Sequence, residues 1–521
     1  MTNSMENLAR IVIVEQGGIV KSHLLDKDQY IIGRSGGAND ISINSKIVSS
    51  QHGIITRING NYFYNDLAST NGTIVNNKLL KGFNSSPSNT IMLNDADVLT
   101  IGSNDNDRVY ILFSCGTNSN VDWNMLSLTA QREITIGRGN DNVIIIPNIT
   151  VSRHHAVIRY ANGAVTVSDL NSYNGTIVNY NTLRGTAPLN DTDIIKLGTS
   201  VIVRFGSYIL YGTARAVQIN DVASYQNNIQ NKSLAVQNVD VCEFARQGGV
   251  QVKVENISRL VKCKNGTGID GGNKKHILNG VSLTINPGEL VAILGGSGAG
   301  KTTFMNCING FEPATSGRVL INGTDLYKNY QTLKTQIGYV PQQDIVHDNL
   351  TLEDMLTYTG RLRLPKDVTK QEISQRVAEV LDMVDLTAQK DTFIKKLSGG
   401  QRKRASIAVE LVSDPTLFFL DEPTSGLDPE AENNLMHRLK GLSRDKGKTV
   451  IVITHTLQNI RLFDKVIFLA PGGKLCFCGS PDAANKFFEV DNLADAYEKI
   501  SQDVDGYVSR FSAYAKRGEN E

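Results

Sequence analysis

The chain repeats itself once. The segments YIIGRSGGANDISI, VSSQHGII and DLASTNGTIVN are answered further on by ITIGRGNDNVIIIP, VSRHHAVI and DLNSYNGTIVN. Gly33 matches Gly137 at an offset of 104, and Ser49, His52 and Asn71 match Ser152, His155 and Asn174 at an offset of 103. LNDADVLTIG then matches LNDTDIIKLG at an offset of 96, because the first copy has a longer loop around Lys81–Thr90. Two copies are too few for a solenoid, so each must be a domain with its own core. Within each copy short runs such as AVIRY, AVTVSDL and GTIVN alternate apolar and polar residues, with Asn, Asp and Gly between them. That period of two with turn punctuation predicts an all-β sandwich. Asn71–Gly72 and Asn174–Gly175 read as tight turns.

The ordered set G-R, S-x-x-H and N-G-T, present twice, resembles the forkhead-associated (FHA) domain, a phosphothreonine-binding β-sandwich. The resemblance covers residues 10–114 and 125–213. A phosphate needs donors converging from loops at one end of a sandwich: Arg supplies charge-assisted bonds, and Ser, Thr and Asn supply neutral ones. The resemblance implies Arg34, Ser49, Ser50, Thr70 and Asn71 as the first domain's phosphopeptide set, and Arg138, Ser152, Arg153, Tyr173 and Asn174 as the second's. The copies depart differently. The first has Ser50 where the second has the basic Arg153, and the second has Tyr173 where the first has Thr70. His52 and His155 are expected to brace the loops without touching ligand.

Residues 214–250 break the pattern. They are rich in Asn and Gln, weakly periodic, and read as a linker. No Thr occurs between Thr213 and Thr267, and only Ser224 and Ser233 offer aliphatic hydroxyls in the linker. A phosphothreonine read by the sandwiches is therefore expected on another chain, such as a Ser/Thr kinase or another regulator.

From about Gln251 the pattern becomes α/β. The buried-strand run ELVAIL leads into GGSGAGKT, with Thr303 following, and then into a helix-like FMNCINGF. This is G-x-x-x-x-G-K-T between strand and helix, a P-loop. Its backbone N–H groups, over Gly295, Gly296, Ser297, Gly298, Ala299 and Gly300, can turn inward on phosphates, and the helix N-terminus favours an anion. Lys301 would reach the β- and γ-phosphates and Thr302 would ligate magnesium. Four more pieces follow in order: GYVPQQD with Gln342, 41 residues after Lys301; LSGGQ with Ser398 and Gly400; LFFLDE with Asp421 and Glu422; and VIVITH with His455. Asp428 lies in SGLD between the last two.

This set, over residues 251–485, resembles the ATPase of ABC transporters. The resemblance implies ATP and Mg2+ as cofactors and ATP hydrolysis as the reaction. Asp421 and Gln342 would join Thr302 at the metal, Glu422 would act as general base, and His455 would contact the γ-phosphate. It also implies that Ser398 and Gly400 serve the nucleotide of an opposite cassette, so that two chains pair head to tail. Many members of that family stack adenine on an aromatic residue just upstream, but here no Phe, Tyr or Trp lies between Phe244 and Phe304, so base recognition is expected to rest on aliphatic contacts. Gln342 and Ser398 are 56 residues apart, room for a small helical subdomain and not for a long coiled coil. The text around the motifs resembles the G or white type, and tandem FHA domains ahead of such a cassette resemble bacterial FHA–ABC exporters. Residues 486–521 form a charged segment expected to be helical.

The expected fold is thus multidomain: two all-β sandwiches, then an α/β P-loop domain with a helical subdomain. Charge is balanced, with 53 Lys+Arg against 52 Asp+Glu, and residues 1–215 carry 17 basic and 16 acidic groups. A nucleic-acid partner is not expected without a basic excess. No stretch reaches the 18 or so consecutive apolar residues needed to span a bilayer, and the N-terminus has no secretory pattern. Six scattered cysteines fit reduced thiols, and the C-x-C of Cys476 and Cys478 fits alternate faces of a strand. The expected location is cytoplasmic, peripheral at the inner face of the cell membrane. The favoured function is the ATP-hydrolysing subunit of an exporter controlled by phosphothreonine recognition. A soluble phospho-regulated ATPase and a phosphopeptide adaptor with a nucleotide switch stay open beside it. The permease is either a separate polypeptide or the missing part of a longer one.

Overall fold

The structure is a computed structural model. It describes residues 9–15, 19–58, 61–75, 78–80, 90–102, 108–115, 121–183, 185–198, 200–214, 249–262, 274–444 and 447–518. The linker, but for its ends, and the longer loop of the first copy lie outside the described residues.

Each repeat folds as a sandwich of a six-stranded and a five-stranded sheet. In the first, the five-stranded sheet centres on Gln29–Arg34, Gly53–Ile58 and Asn61–Asp66; in the second, on Glu133–Gly137, Ala156–Ala161 and Ala164–Asp169. Alternation in the sequence becomes alternation in burial: Asn61–Asp66 reads half-buried, buried, half-buried throughout. The glycine of the G-R pair has a packing reason. A Cβ on Gly33 would stand 2.1 Å from the Ser50 carbonyl oxygen, and one on Gly137 would stand 2.1 Å from that of Arg153. Only glycine lets the two pocket-forming loops come this close.

The histidines brace both loops identically. His52 Nδ1 accepts from the Ser49 amide at 3.1 Å and His155 Nδ1 from the Ser152 amide at 3.2 Å. Each Nε2 faces a turn carbonyl, that of Gly72 at 3.3 Å and of Gly175 at 3.1 Å, which makes the neutral Nε2–H tautomer the fitting one. Burial pushes both rings below the ordinary histidine pKa, against smaller upward effects that include Asp66 and Asp169. A ring whose pKa is lower folded than unfolded takes up protons on unfolding. The stability it contributes is full above about pH 6.5 and declines as pH falls below that value. Imidazole nitrogen NMR should therefore find both rings titrating below the ordinary histidine value; midpoints at or above that value would contradict the bracing geometry.

The two sandwiches pack on each other through an apolar seam. Val12, Val98 and Leu112 of the first meet Val201, Val203 and Leu210 of the second in one buried cluster. Tyr110 stacks on Phe205 at 4.5 Å between centroids, and Asp191 accepts from Arg108 at 2.5 Å and from Tyr110 at 2.9 Å. Strand Val109–Ser114 is therefore buried on both faces.

The cassette has an antiparallel four-stranded sheet and a six-stranded sheet in the order Ile337–Val340, Leu417–Asp421, Thr449–Ile453, Leu290–Leu294, Lys465–Ala470 and Lys474–Gly479. The first five of these strands are parallel and only the last is antiparallel. The three motif-bearing apolar runs are fully buried, as expected of parallel strands covered on both faces. Helix α1 (Lys301–Ile308) follows the P-loop, and α2 (Tyr330–Leu333) is a single turn. The helical subdomain contains α3 (Leu352–Arg363), α4 (Lys370–Met383) and α5 (Gly399–Leu411), and α6 (Pro429–Arg444) returns to the core. Beyond it, α7 (Pro481–Phe488), α8 (Leu493–Gln502) and α9 (Val504–Gly518) pack an aromatic cluster of Phe477, Phe487, Phe488 and Phe511. The charged segment is thus amphipathic, with Leu493, Ala496 and Ile500 buried against the cassette.

Candidate functional site

The P-loop joins the buried strand Leu290–Leu294 to α1. Gly295, Gly298 and Gly300 all have positive φ, and Gly300, the residue before α1, provides no side-chain cap. A Cβ on Gly300 would stand 2.7 Å from the Ile277 carbonyl oxygen. The helix N-terminus is therefore left to the loop's own N–H groups, the arrangement that suits an anion. Gly296, Ser297 and Gly298 are exposed, Ala299 is buried, and Thr303 is half-buried on α1. Lys301 folds back, donating to the carbonyls of Gly295 at 2.9 Å and Gly296 at 3.1 Å. Burial lowers its pKa, opposed by the charges of Glu422 and Asp421.

Four of the motifs meet at the C-terminal edge of the parallel sheet. Gln342 Nε2 donates to Glu422 Oε2 at 3.0 Å, and His455 Nε2 lies 2.7 Å from Glu422 Oε1. Residues 80 apart in sequence are thereby joined at one carboxylate. Glu422 has φ 47°, a left-handed conformation costly for a side chain with a Cβ, which turns it out of the strand line just after Asp421. Asp421 is buried and hydrogen-bonded to Thr302. Burial pushes its carboxyl up; the Thr302 bond pulls it down, the Glu422 charge pushes it up again, and the net direction is upward. Mg2+ takes hard oxygen ligands in small number, and a hydroxyl joined to a buried carboxylate beside a second acid fits that ion. A cation there would relieve the two carboxylates' repulsion.

Ser398 is the N-cap of α5 and forms a capping box with Gln401, its Oγ accepting from the Gln401 amide at 3.3 Å. Ser398 and Gly399 are exposed, and Gly400 is half-buried with a Cβ position 3.7 Å from Leu427. No hydrogen bond links Ser398 or Gly400 to the P-loop of the same chain among the described residues. Asp428 accepts from the Ala431 amide at 2.9 Å, capping α6. Motif reading missed Lys403, which is buried in α5 and donates to the Gln342 carbonyl at 2.9 Å. It couples the Ser398 helix to the Gln342 loop from a position four residues after Gly399, the first residue of α5, which no sequence motif marks.

The sandwich loops gather both sets of phosphopeptide candidates. Thr70 N donates to Ser49 Oγ at 3.0 Å and Tyr173 N to Ser152 Oγ at 3.1 Å; Asn71 Nδ2 donates to the Ile47 carbonyl at 2.7 Å and Asn174 Nδ2 to that of Thr150 at 2.6 Å. Arg34, Ser50, Thr70 and Asn71 are all exposed around one opening, and the Arg34 guanidinium pairs with no described residue. In the second sandwich Arg138 is only 7% exposed and Arg153 is 46% exposed, and both point at the cassette. The contacts made there involve Asp367 and Glu372, which motif reading also missed.

A model of the ABC transporter family matches residues 278–425, and one of the FHA domain matches 30–102 and 134–198. The chain is 38% identical over 380 residues to the ABC transporter ATP-binding/permease protein Rv1747 of Mycobacterium tuberculosis, covering 73% of this chain and 39% of that protein. It is 34% identical over 272 residues to ABC transporter G family member 28 of Arabidopsis thaliana, covering 50% and 23%, and 37% identical over 254 residues to Protein white of Drosophila melanogaster, covering 45% and 36%. The chain thus spans less than half the length of each of these relatives. Fold, site and matches together define a nucleotide-binding cassette of the ABC-transporter class. It is joined, in this chain, to two forkhead-associated domains, and its similarity extends to relatives of the G and white type.

Proposed function

We propose that this chain is the ATP-hydrolysing part of an ABC exporter regulated by phosphothreonine recognition. The observation that carries the reading is Glu422 held between Gln342 and His455, next to a buried Asp421 bonded to the P-loop Thr302. In this reading the P-loop amides and Lys301 bind the phosphates, Thr302 and Asp421 hold Mg2+, and Glu422 takes the proton of the attacking water. The solvent-exposed N-terminus of α5, with Ser398 and Gly400, would serve the nucleotide of a second copy. The relative in Mycobacterium tuberculosis is described as an ATP-binding/permease protein, and we assign a membrane permease to this cassette too, on the same polypeptide or another. No helix among the described residues is long and apolar enough to cross a membrane. The FHA domains would bring a phosphothreonine-bearing partner and, through it, a Ser/Thr kinase's signal.

The test is the concentration dependence of turnover. If two copies sandwich the nucleotides, specific ATPase activity should rise with protein concentration, and Ser398→Arg, which adds bulk and charge at the α5 N-terminus, should abolish the rise while leaving ATP binding in place. A specific activity independent of concentration and unaffected by Ser398→Arg would sink the paired-cassette reading.

A further inference from the structure

The second sandwich's anion pocket already holds carboxylates. Asp367 lies in the segment joining α3 to α4, and Glu372 is in the first turn of α4. Asp367 Oδ2 accepts from the Arg153 amide at 2.5 Å, and its Oδ1 lies 3.4 Å from Arg138 Nη2. Glu372 Oε1 accepts from Arg138 Nη1, and Oε2 lies 3.5 Å from Arg153 Nη2. Tyr173 adds a hydroxyl bond to the Leu362 carbonyl at 3.2 Å. Burial tends to raise the Glu372 carboxyl, but bonds from Thr369 and the charges of Arg138 and Arg153 hold it below the usual range. Two carboxylates offer four oxygens and two negative charges, close to what a phosphothreonine dianion offers the same donors.

We propose that Asp367 and Glu372 are a built-in ligand of the second FHA domain, placed where a phosphothreonine phosphate would bind, so that a phosphothreonine peptide and the cassette compete for Arg138 and Arg153. The proposal rests on the phosphate-reading assignment of that pocket. The tethered carboxylates hold the advantage of high effective concentration, and only the fraction of molecules with the pocket open can bind an outside peptide. A groove of about 730 Å³, walled by Tyr173, Asn174, Leu362 and Arg363 among others, runs alongside and gives a peptide a route in.

The contact also braces the cassette. The same sandwich grips the core side, with Lys196 donating to the Asn322 carbonyl at 2.6 Å, Thr182 bonding Asn329 at 3.0 Å, and Gln336 donating to the Gly198 carbonyl at 3.2 Å. Asp367 and Glu372 belong to the helical subdomain. That subdomain carries Ser398 on α5 and is tied by Arg363 to Glu410 through two bonds of 2.7 Å. The second sandwich therefore bridges core and helical subdomain, and a peptide that takes the pocket undoes one end of the bridge.

The test uses the full chain with Arg34→Ala, to silence the first domain, and a fluorescent degenerate phosphothreonine peptide library as probe. Asp367→Asn with Glu372→Gln removes the charge and keeps size, and Gln at that position still completes the α4 capping box. The double variant should bind the library roughly tenfold or more tightly than the Arg34→Ala parent, and added Arg138→Ala should erase the gain. Hydrogen exchange at residues 150–154 and 172–174 should quicken in the double variant. Equal peptide affinity in parent and double variant, or unchanged exchange, would overturn the proposal. Faster exchange without any peptide binding would overturn the competition in a different way, by showing that the pocket does not read phosphothreonine at all.

Discussion

Glu422→Gln should bind ATP and magnesium normally and turn ATP over at least roughly 100-fold more slowly, accumulating as an ATP-bound pair of chains. The substitution keeps the side chain's size and leaves the P-loop, Lys301, Thr302 and Asp421 untouched. One of Gln342 and His455 keeps an oxygen to bond, and the other can accept from the new amide by an amide flip or a change of tautomer. What is lost is a carboxylate that can accept a proton, at a position the backbone sustains at φ 47° and two neighbours hold at 3.0 and 2.7 Å. A residue held this firmly in a disfavoured conformation points to a positional requirement. Single-turnover hydrolysis and size-exclusion chromatography with ATP check both halves of the expectation. Turnover above about a tenth of wild type would exclude Glu422 as the main base.

The assembly of the candidate nucleotide site was legible because its parts are local. GGSGAGKT between an apolar strand and a helix dictates the loop, and each of Gln342, Glu422 and His455 follows the C-terminal end of an apolar run that becomes a parallel strand. Once the strands stack in one sheet, their ends meet without further information. The sandwiches were legible for a similar reason: the period of two and the Asn-Gly turns are local, and the repeat shows which residues matter together. What stayed hidden lies between domains. Val109–Ser114 reads as a strand, but nothing in it shows that its outer face packs on Val201, Val203 and Phe205. Lys196 looks like a solvated charge, yet it is buried, its pKa lowered by that burial, with Asp95 and Asp97 of the first sandwich and the Asn322 carbonyl of the cassette as compensation. Asp367 and Glu372 look like an ordinary helix start, D-V-T-K-Q-E, and the capping box they suggest is present. Their second partners, 229 and 234 residues away on Arg138, follow only from docking, which no local pattern encodes.

Arg34→Ala and Arg138→Ala, equivalent by alignment of the repeats, should behave differently in the full chain. Arg34 is exposed beside Ser50, Thr70 and Asn71 and pairs with no described residue, so its guanidinium is ready for an incoming phosphate without breaking a bond. Removing it takes away charge-assisted bonds to a dianion, at a cost on the order of 2–4 kcal/mol, and should weaken phosphothreonine-peptide binding roughly 30-fold or more. Arg138 is committed to Asp367 and Glu372, so it adds little to binding of an outside peptide in the unaltered chain. Arg138→Ala should leave that affinity within about threefold of wild type, because a pocket that is rarely open contributes rarely. Its effect should appear at the cassette, where Glu372 would lose its principal counter-charge while the Thr369 bonds remain. Calorimetry on the full chain, with a phosphothreonine peptide and its unphosphorylated twin, separates the cases. Equal losses from the two substitutions would mean that both pockets stand open in solution, and that the contact between the second sandwich and α4 is too weak to gate it.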